Sequence, residues 1–168
     1  MGILRRLSYT IPKKLLRPVY YTLVHSHLQY LTALWFPSGS RIKKIERLQN
    51  KAIKNLYLLS YRYSTELLYK NFKFMSVEQI YKYQICAFIH QVVGGSKFSN
   101  MTFTYRHEVH NFNTRFKNNL STPQTDSRMA SASVYVKGVS IYNRLPEYVR
   151  QLNSSRFKIF IKNNIRTF

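Results

Sequence analysis

Acidic side chains are what this 168-residue sequence has least of: Glu46, Glu66, Glu78, Glu108, Asp126 and Glu147 are all it carries, and no two stand close together. Phosphoryl-transfer enzymes hold hard divalent cations with clustered carboxylates, so metal-dependent catalysis of that kind has little to build on here. A single cysteine, Cys86, excludes a disulfide framework and a thiolate metal site. Set in an apolar helical run, it reads as a small buried hydrophobe. With five glycines scattered along the chain, no Walker loop, dinucleotide fingerprint or nucleophile elbow is present. His25 and His27 have no acidic or cysteine companion nearby, and His107 and His110 flank Glu108 without further ligands, so these histidines read as packing or surface residues. No cofactor, metal or small-molecule substrate is expected.

Long apolar runs are missing too. Residues 1–14 lack the h-region of a secretory signal, and Arg6 stands where a myristoylation motif wants Ser or Thr. The most apolar stretch, residues 19–36, is interrupted by His25, His27, Gln29 and Thr32. A buried core helix suits it better than a bilayer span. The expectation is a soluble intracellular protein.

Basic residues, by contrast, abound. There are 27 Lys and Arg, a formal net charge of +21 and a pI near 10.3, alongside 45% hydrophobic residues. Such a chain has enough apolar content for a core and is far from the disordered class. It should fold and then bind something anionic, because self-repulsion of this size is relieved by a polyanion.

Residues 41–59, RIKKIERLQNKAIKNLYLL, concentrate this charge. At 3.6 residues per turn Ile42, Ile45, Leu48, Ala52, Ile53, Leu56 and Leu59 share one face, and Lys43, Lys44, Arg47, Lys51 and Lys54 share the other. The cationic ridge is ~16 Å long at 1.5 Å per residue. An ordinary solvated face mixes signs, since like charges at i,i+4 repel; this one has only Glu46, off to one side. Such a ridge can follow several phosphates of a nucleic-acid strand.

The rest of the chain reads as mainly α. Residues 2–9 form a short basic amphipathic turn or helix, and Thr10 with Pro12 signals a new helix start. Pro18 then either kinks that helix or moves its main body to near Arg17. Val19, Tyr20, Leu23, Val24, His27, Leu28, Leu31, Leu34 and Trp35 recur at helical spacing as a core spine, and residues 37–40 turn into the cationic helix. Residues 65–72 make a short helix, and Ser76 with Gln79 caps another that ends at Gly94 and Gly95. Residues 96–129 read as a polar linker or loop. Alternation over residues 130–136 predicts a strand, with Val134 and Val136 on one face. A turn at Leu145 and Pro146, a short helix, and a last amphipathic helix complete the chain, the last with Phe157, Phe160, Ile161 and Ile165 inward and Arg156, Lys158, Lys162 and Arg166 outward. The predicted organisation is a small helical bundle over residues 1–95, the linker, and a strand-plus-helices segment over residues 130–168. Among 14 tyrosines, Tyr57, Tyr61, Tyr63 and Tyr69 lie among cations, as in single-strand binders.

One ordered set of residues carries a family resemblance. Gly2-Ile3-Leu4, Ile11-Pro12, Tyr20 to Val24, His27-Leu28, Tyr30, Trp35 and Leu48 to Lys54, then Thr114-Arg115, Leu120, Pro123, Arg128, Gly138, Tyr142-Asn143, Leu145-Pro146 and Phe157-Lys158, resemble the thumb and C-terminal tail of reverse transcriptases from jockey-type non-LTR retrotransposons. Ser26 stands in place of a usual proline, Leu31 and Phe36 in place of small residues, and Tyr142 in place of a tryptophan. The resemblance implies a thumb-like bundle and a fragment of an RNA-directed DNA polymerase, with Met1 as an internal start or the start of a truncated frame. The family's palm aspartates, including its Tyr/Phe-Ala-Asp-Asp turn, lie upstream of the matched part, so the chain is not expected to polymerise alone. Expected partners are RNA or an RNA–DNA template-primer and the upstream palm and fingers of the parent polymerase.

The candidate binding residues are Lys43, Lys44, Arg47, Lys51 and Lys54, with Lys13, Lys14 and Arg17 as a secondary patch. The alternative expectation is a free-standing basic RNA-binding or ribonucleoprotein-packaging protein. A peripheral membrane binder using the basic helices is a third reading.

Overall fold

The computed structural model describes residues 2–35, 39–95, 102–110, 112, 114–131 and 133–165, leaving aside the side chains of residues 31–35, 39–41, 128 and 129. The chain is mainly helical and divides into two compact units, residues 1–81 and 82–168. Among the described residues, no helix is long and apolar enough to cross a membrane.

The first unit contains α1 (Gly2–Thr10), α2 (Lys13–Tyr20), α3 (Ser26–Trp35), α4 (Gly39–Leu56) and α5 (Thr65–Phe72), and it ends in the first turns of α6 (Val77–Val93). Its core joins Leu16 and Tyr20 of α2, Ile53 and Leu56 of α4, Leu68 of α5, and Phe74; Leu28, Val77 and Ile80 form a second buried cluster. Helix α2 starts directly after Pro12 and contains Pro18. A π-helical segment, Tyr21–His25, comes next, so that the proline sits within a helical run broken only by this wide turn. Thr22 Oγ1 donates to the Pro18 carbonyl at 3.1 Å, giving that acceptor a side-chain donor. A wide turn rotates the downstream helix by about one residue. Tyr20 and Leu28 are buried and Val24 partly so, whereas Leu23 and His27, predicted inward, are exposed. The side chains of the predicted core positions Leu31, Leu34 and Trp35 and residues 37 and 38 of the predicted turn lie outside what the structure describes, and Gly39 and Ser40, read as turn, already belong to α4.

Helix α4 corrects the predicted apolar face at Leu48 and, by ending at Leu56, leaves Leu59 outside it. Gln49 is 1% exposed, and Leu48, predicted inward, is 56% exposed. Gln49 lies between Ile45 and Ile53 on the buried stripe, and a neutral amide is tolerated there because its hydrogen-bonding groups are used. Its Nε2 donates to Tyr20 Oη at 2.8 Å and to the Met75 carbonyl at 2.7 Å, and its Oε1 accepts from Tyr69 Oη at 2.7 Å. Burial pushes the Tyr20 hydroxyl up to about 12 and raises that of Tyr69, so the network stays neutral. It also fixes the rotation of α4, and with it the direction of the charged face.

The second unit comprises the rest of α6 with α7 (Arg106–Val109), α8 (Arg128–Ser131), α9 (Val139–Asn143), α10 (Glu147–Arg150) and α11 (Ser154–Asn164). Phe157, Ile161 and Ile165 of the last helix and its C-cap are buried as predicted, and Arg156, Lys158 and Lys162 are exposed; Arg166 lies outside the described residues. Asn153 caps that helix, accepting from the Ser155 amide at 2.9 Å. Cys86 is buried, and its thiol is pushed up to about 12 by burial.

Two expectations for this half are corrected. The segment predicted as a strand, residues 130–136, holds helical residues on both sides of a bend at Ser133: α8 reaches Ser131, and a π-helical turn, Val134–Gly138, leads into α9. An isolated strand is not stable without a partner, and here helix packing wins. Gly138 lies so near α6 that a Cβ on it would stand 3.0 Å from Ile85 Cγ1 and 3.3 Å from Ile89 Cδ1. Nor do the described residues between 102 and 129 behave as a free linker. Leu120 is fully buried, its amide and carbonyl both held by the Asn143 side chain at 3.0 and 2.9 Å, and Tyr105 and Leu120 form an isolated antiparallel bridge. Arg150 Nη1 donates to the Asn118 carbonyl at 2.9 Å. Polar composition hid this because Asn side chains serve as hydrogen-bonding partners for the backbone rather than as solvated surface.

Candidate nucleic-acid interface

Helix α4 of the first unit ends in a Schellman motif. The Leu59 amide donates to the Lys54 carbonyl at 2.9 Å, the Leu58 amide donates to the Asn55 carbonyl at 3.4 Å, and Leu58 takes the left-handed conformation with φ of 54°. Glycine usually fills that position; a leucine there holds a strained backbone and an exposed side chain. The connector leading to α5 is tied down at several points. Lys54 Nζ donates to the Tyr61 carbonyl at 2.8 Å, the Tyr63 amide donates to the Ser60 carbonyl at 3.0 Å, and Asn71 Nδ2 donates to Tyr63 Oη at 2.9 Å.

From the other side, α1 packs on α4, and Ser8 Oγ donates to the Asn55 carbonyl at 3.0 Å. Between α1, the exposed face of α4 and the connector lies an open groove of about 1200 Å³. Its cations are Arg5, Lys44, Arg47, Lys51, Lys54 and Arg62, its tyrosines Tyr9, Tyr61 and Tyr63, and among the described residues no carboxylate lines it. The volume exceeds the roughly 300–1,000 Å³ of a small-molecule pocket.

The structure separates the residues singled out from sequence. Lys44, Arg47 and Lys51 are exposed and line the groove. Lys54 also lines it but is half-buried, with one of its three donors committed to the Tyr61 carbonyl and its ammonium 5.8 Å from the centre of the Tyr61 ring. Lys43 is exposed on the same helix, outside the lining. Lys13 and Lys14 are exposed on α2 and do not line the groove; the Arg17 guanidinium lies 5.5 Å from the centre of the Phe74 ring and 5.9 Å from that of Tyr21, also away from it. Arg5, Tyr9 and Arg62 were not anticipated. The basic amphipathic pattern of residues 2–9 was the one available signal for Arg5, but its partner helix is not readable from spacing.

Among the described residues, no three His, Cys, Asp or Glu side chains converge as a metal site. In the second unit His90 stacks on Phe157 with ring centres 3.8 Å apart, and its Nδ1 is 3.0 Å from Tyr142 Oη. Burial lowers the imidazole's proton affinity, opposed by a backbone hydrogen bond at Leu152 and helped by Lys158. This is a packed core histidine.

The fold and groove thus define a mainly helical basic chain with one extended cationic, tyrosine-bearing surface among the described residues of its first unit. No family model, curated protein or solved structure matches it.

Proposed function

We propose that the chain binds the sugar–phosphate backbone of nucleic acid, tolerant of sequence, in the groove beside α4. The observation that carries this reading is the lining itself: six cations and, among the described residues, no carboxylate around one groove. Arg and Lys contacts to phosphate release counterions and carry no base information, so affinity without sequence preference is the natural product of such a lining. The resemblance to the thumb and tail of jockey-type reverse transcriptases supports the same ligand. On that reading the chain is a fragment of an RNA-directed DNA polymerase without its palm. It holds RNA or an RNA–DNA template-primer, and the palm and fingers of the parent enzyme are its protein partners.

Salt dependence tests the proposal. With Arg5, Lys44, Arg47, Lys51 and Arg62 each neutralising one phosphate, the slope of log K against log salt is about −3.5 on a single strand and about −4.5 on a duplex. A slope near zero, measured by anisotropy of labelled RNA and RNA–DNA template-primers, refutes it.

A further inference from the structure

We infer that the groove takes an unpaired strand, with a base stacked on Tyr61; the inference rests on the nucleic-acid reading above and narrows its ligand. A duplex offers a basic surface chiefly phosphates and sugars, its base faces being hidden in the stack. Lysine and arginine alone would suffice for that ligand. This groove presents more. The Tyr61 side chain is 87% exposed and Tyr9 67%, and the apolar walls include Leu48, 56% exposed, and Leu58, 46% exposed. Against a duplex these surfaces stay in water, whereas the splayed bases of a single strand cover them.

Tyr61 is held ready for this role. Its carbonyl is fixed by Lys54 Nζ, and the same ammonium lies over one part of the ring at 5.8 Å, while most of the side chain remains open to solvent. The backbone that carries the ring is thus anchored beside the groove before a base arrives. Arg47, Lys51 and Arg62 line the same groove and supply the phosphate contacts on either side of such a base. The left-handed Leu58 belongs here too: its backbone ends α4 and starts the connector that carries Tyr61.

The test uses the full chain and three probes at about 0.1 M salt: a labelled single-stranded RNA 12-mer of mixed sequence, the same RNA as a duplex, and anionic phospholipid vesicles. A duplex offers the ring no unstacked base, so Tyr61→Ala should leave duplex binding within about twofold of the parent chain. Tyr61→Ala should weaken single-strand binding by about tenfold. Tyr61→Phe, which keeps the ring, should bind within about twofold of the parent chain, and both variants should keep its salt slope. Because the Lys54 bond goes to a backbone carbonyl, the alanine variant keeps the connector's anchor. An equal loss on the duplex in Tyr61→Ala, or full single-strand affinity in that variant with the salt slope intact, overturns the single-strand inference and leaves backbone binding standing. Binding to vesicles with no salt-dependent retention of either RNA overturns both.

Discussion

Replacing Lys44, Arg47 and Lys51 together by alanine tests whether the groove, rather than basic charge in general, holds the ligand. Each phosphate contact adds about 0.7 to the salt slope on a single strand, which at about 0.1 M salt corresponds to about fivefold in affinity. Losing three should weaken binding about a hundredfold and flatten the slope from about −3.5 to about −1.4. The fold should not suffer. All three side chains are exposed on α4, alanine is the best helix former, and Lys44–Arg47 and Arg47–Lys51 are like-charge neighbours at i,i+3 and i,i+4 whose removal relieves repulsion. The variant should therefore unfold at the same or a slightly higher temperature than the parent chain while binding far more weakly. Lys13→Ala with Lys14→Ala removes two exposed cations outside the groove and should leave the slope within experimental error. Anisotropy titrations across about 50 to 200 mM salt read both quantities. An unchanged slope in the triple variant, or an equal loss in the Lys13/Lys14 variant, would show that net charge and not this surface does the binding.

Other outcomes probe the scaffold that aims the groove. Gln49→Met should destabilise the chain by about 2–4 kcal/mol in urea titration, since it strips the donors from Tyr20 Oη and the Met75 carbonyl; adding Tyr20→Phe should recover part of that loss. Gly138→Ala places a methyl group 3.0 Å from Ile85 Cγ1 and should cost about 1–3 kcal/mol of stability by overpacking, visible as a lower urea midpoint at constant slope. His90 is held below its ordinary proton affinity by burial, so the unfolded chain binds its proton more readily than the folded one. Its contribution is complete above the unfolded value of about 6.5 and is lost as pH falls from there through the lower folded value. Thermal melts of His90→Gln should accordingly lose less stability between about pH 7 and about pH 5 than those of the parent chain.

Several features of this molecule were legible because they depend on spacing alone. The amphipathic repeat read over residues 41–59 yields a helix with a cationic face as far as Leu56, since side chains three and four apart share a face whatever surrounds them, while Leu59 falls beyond the left-handed Leu58 that ends it. Ser76 and Gln79 form their capping box as read, with the Ser76 amide donating to Gln79 Oε1 at 3.0 Å and the Gln79 amide donating to Ser76 Oγ at 3.3 Å. Phe157 and Ile161 turn inward for the same periodic reason.

What spacing could not decide was how one element's surface meets another's. Leu48 and Gln49 exchange their expected places because Tyr20, Tyr69 and the Met75 carbonyl, far apart in sequence, converge on one amide. Gly138 turns an alternating segment into helical turns because α6 lies against it. Composition and periodicity determined that this chain is mainly helical and basic, with a cationic face on α4. Only tertiary packing brought Arg5, Tyr9 and Tyr61 to the cations of that helix, because a groove is a relation between surfaces and one-dimensional order does not specify which surfaces meet.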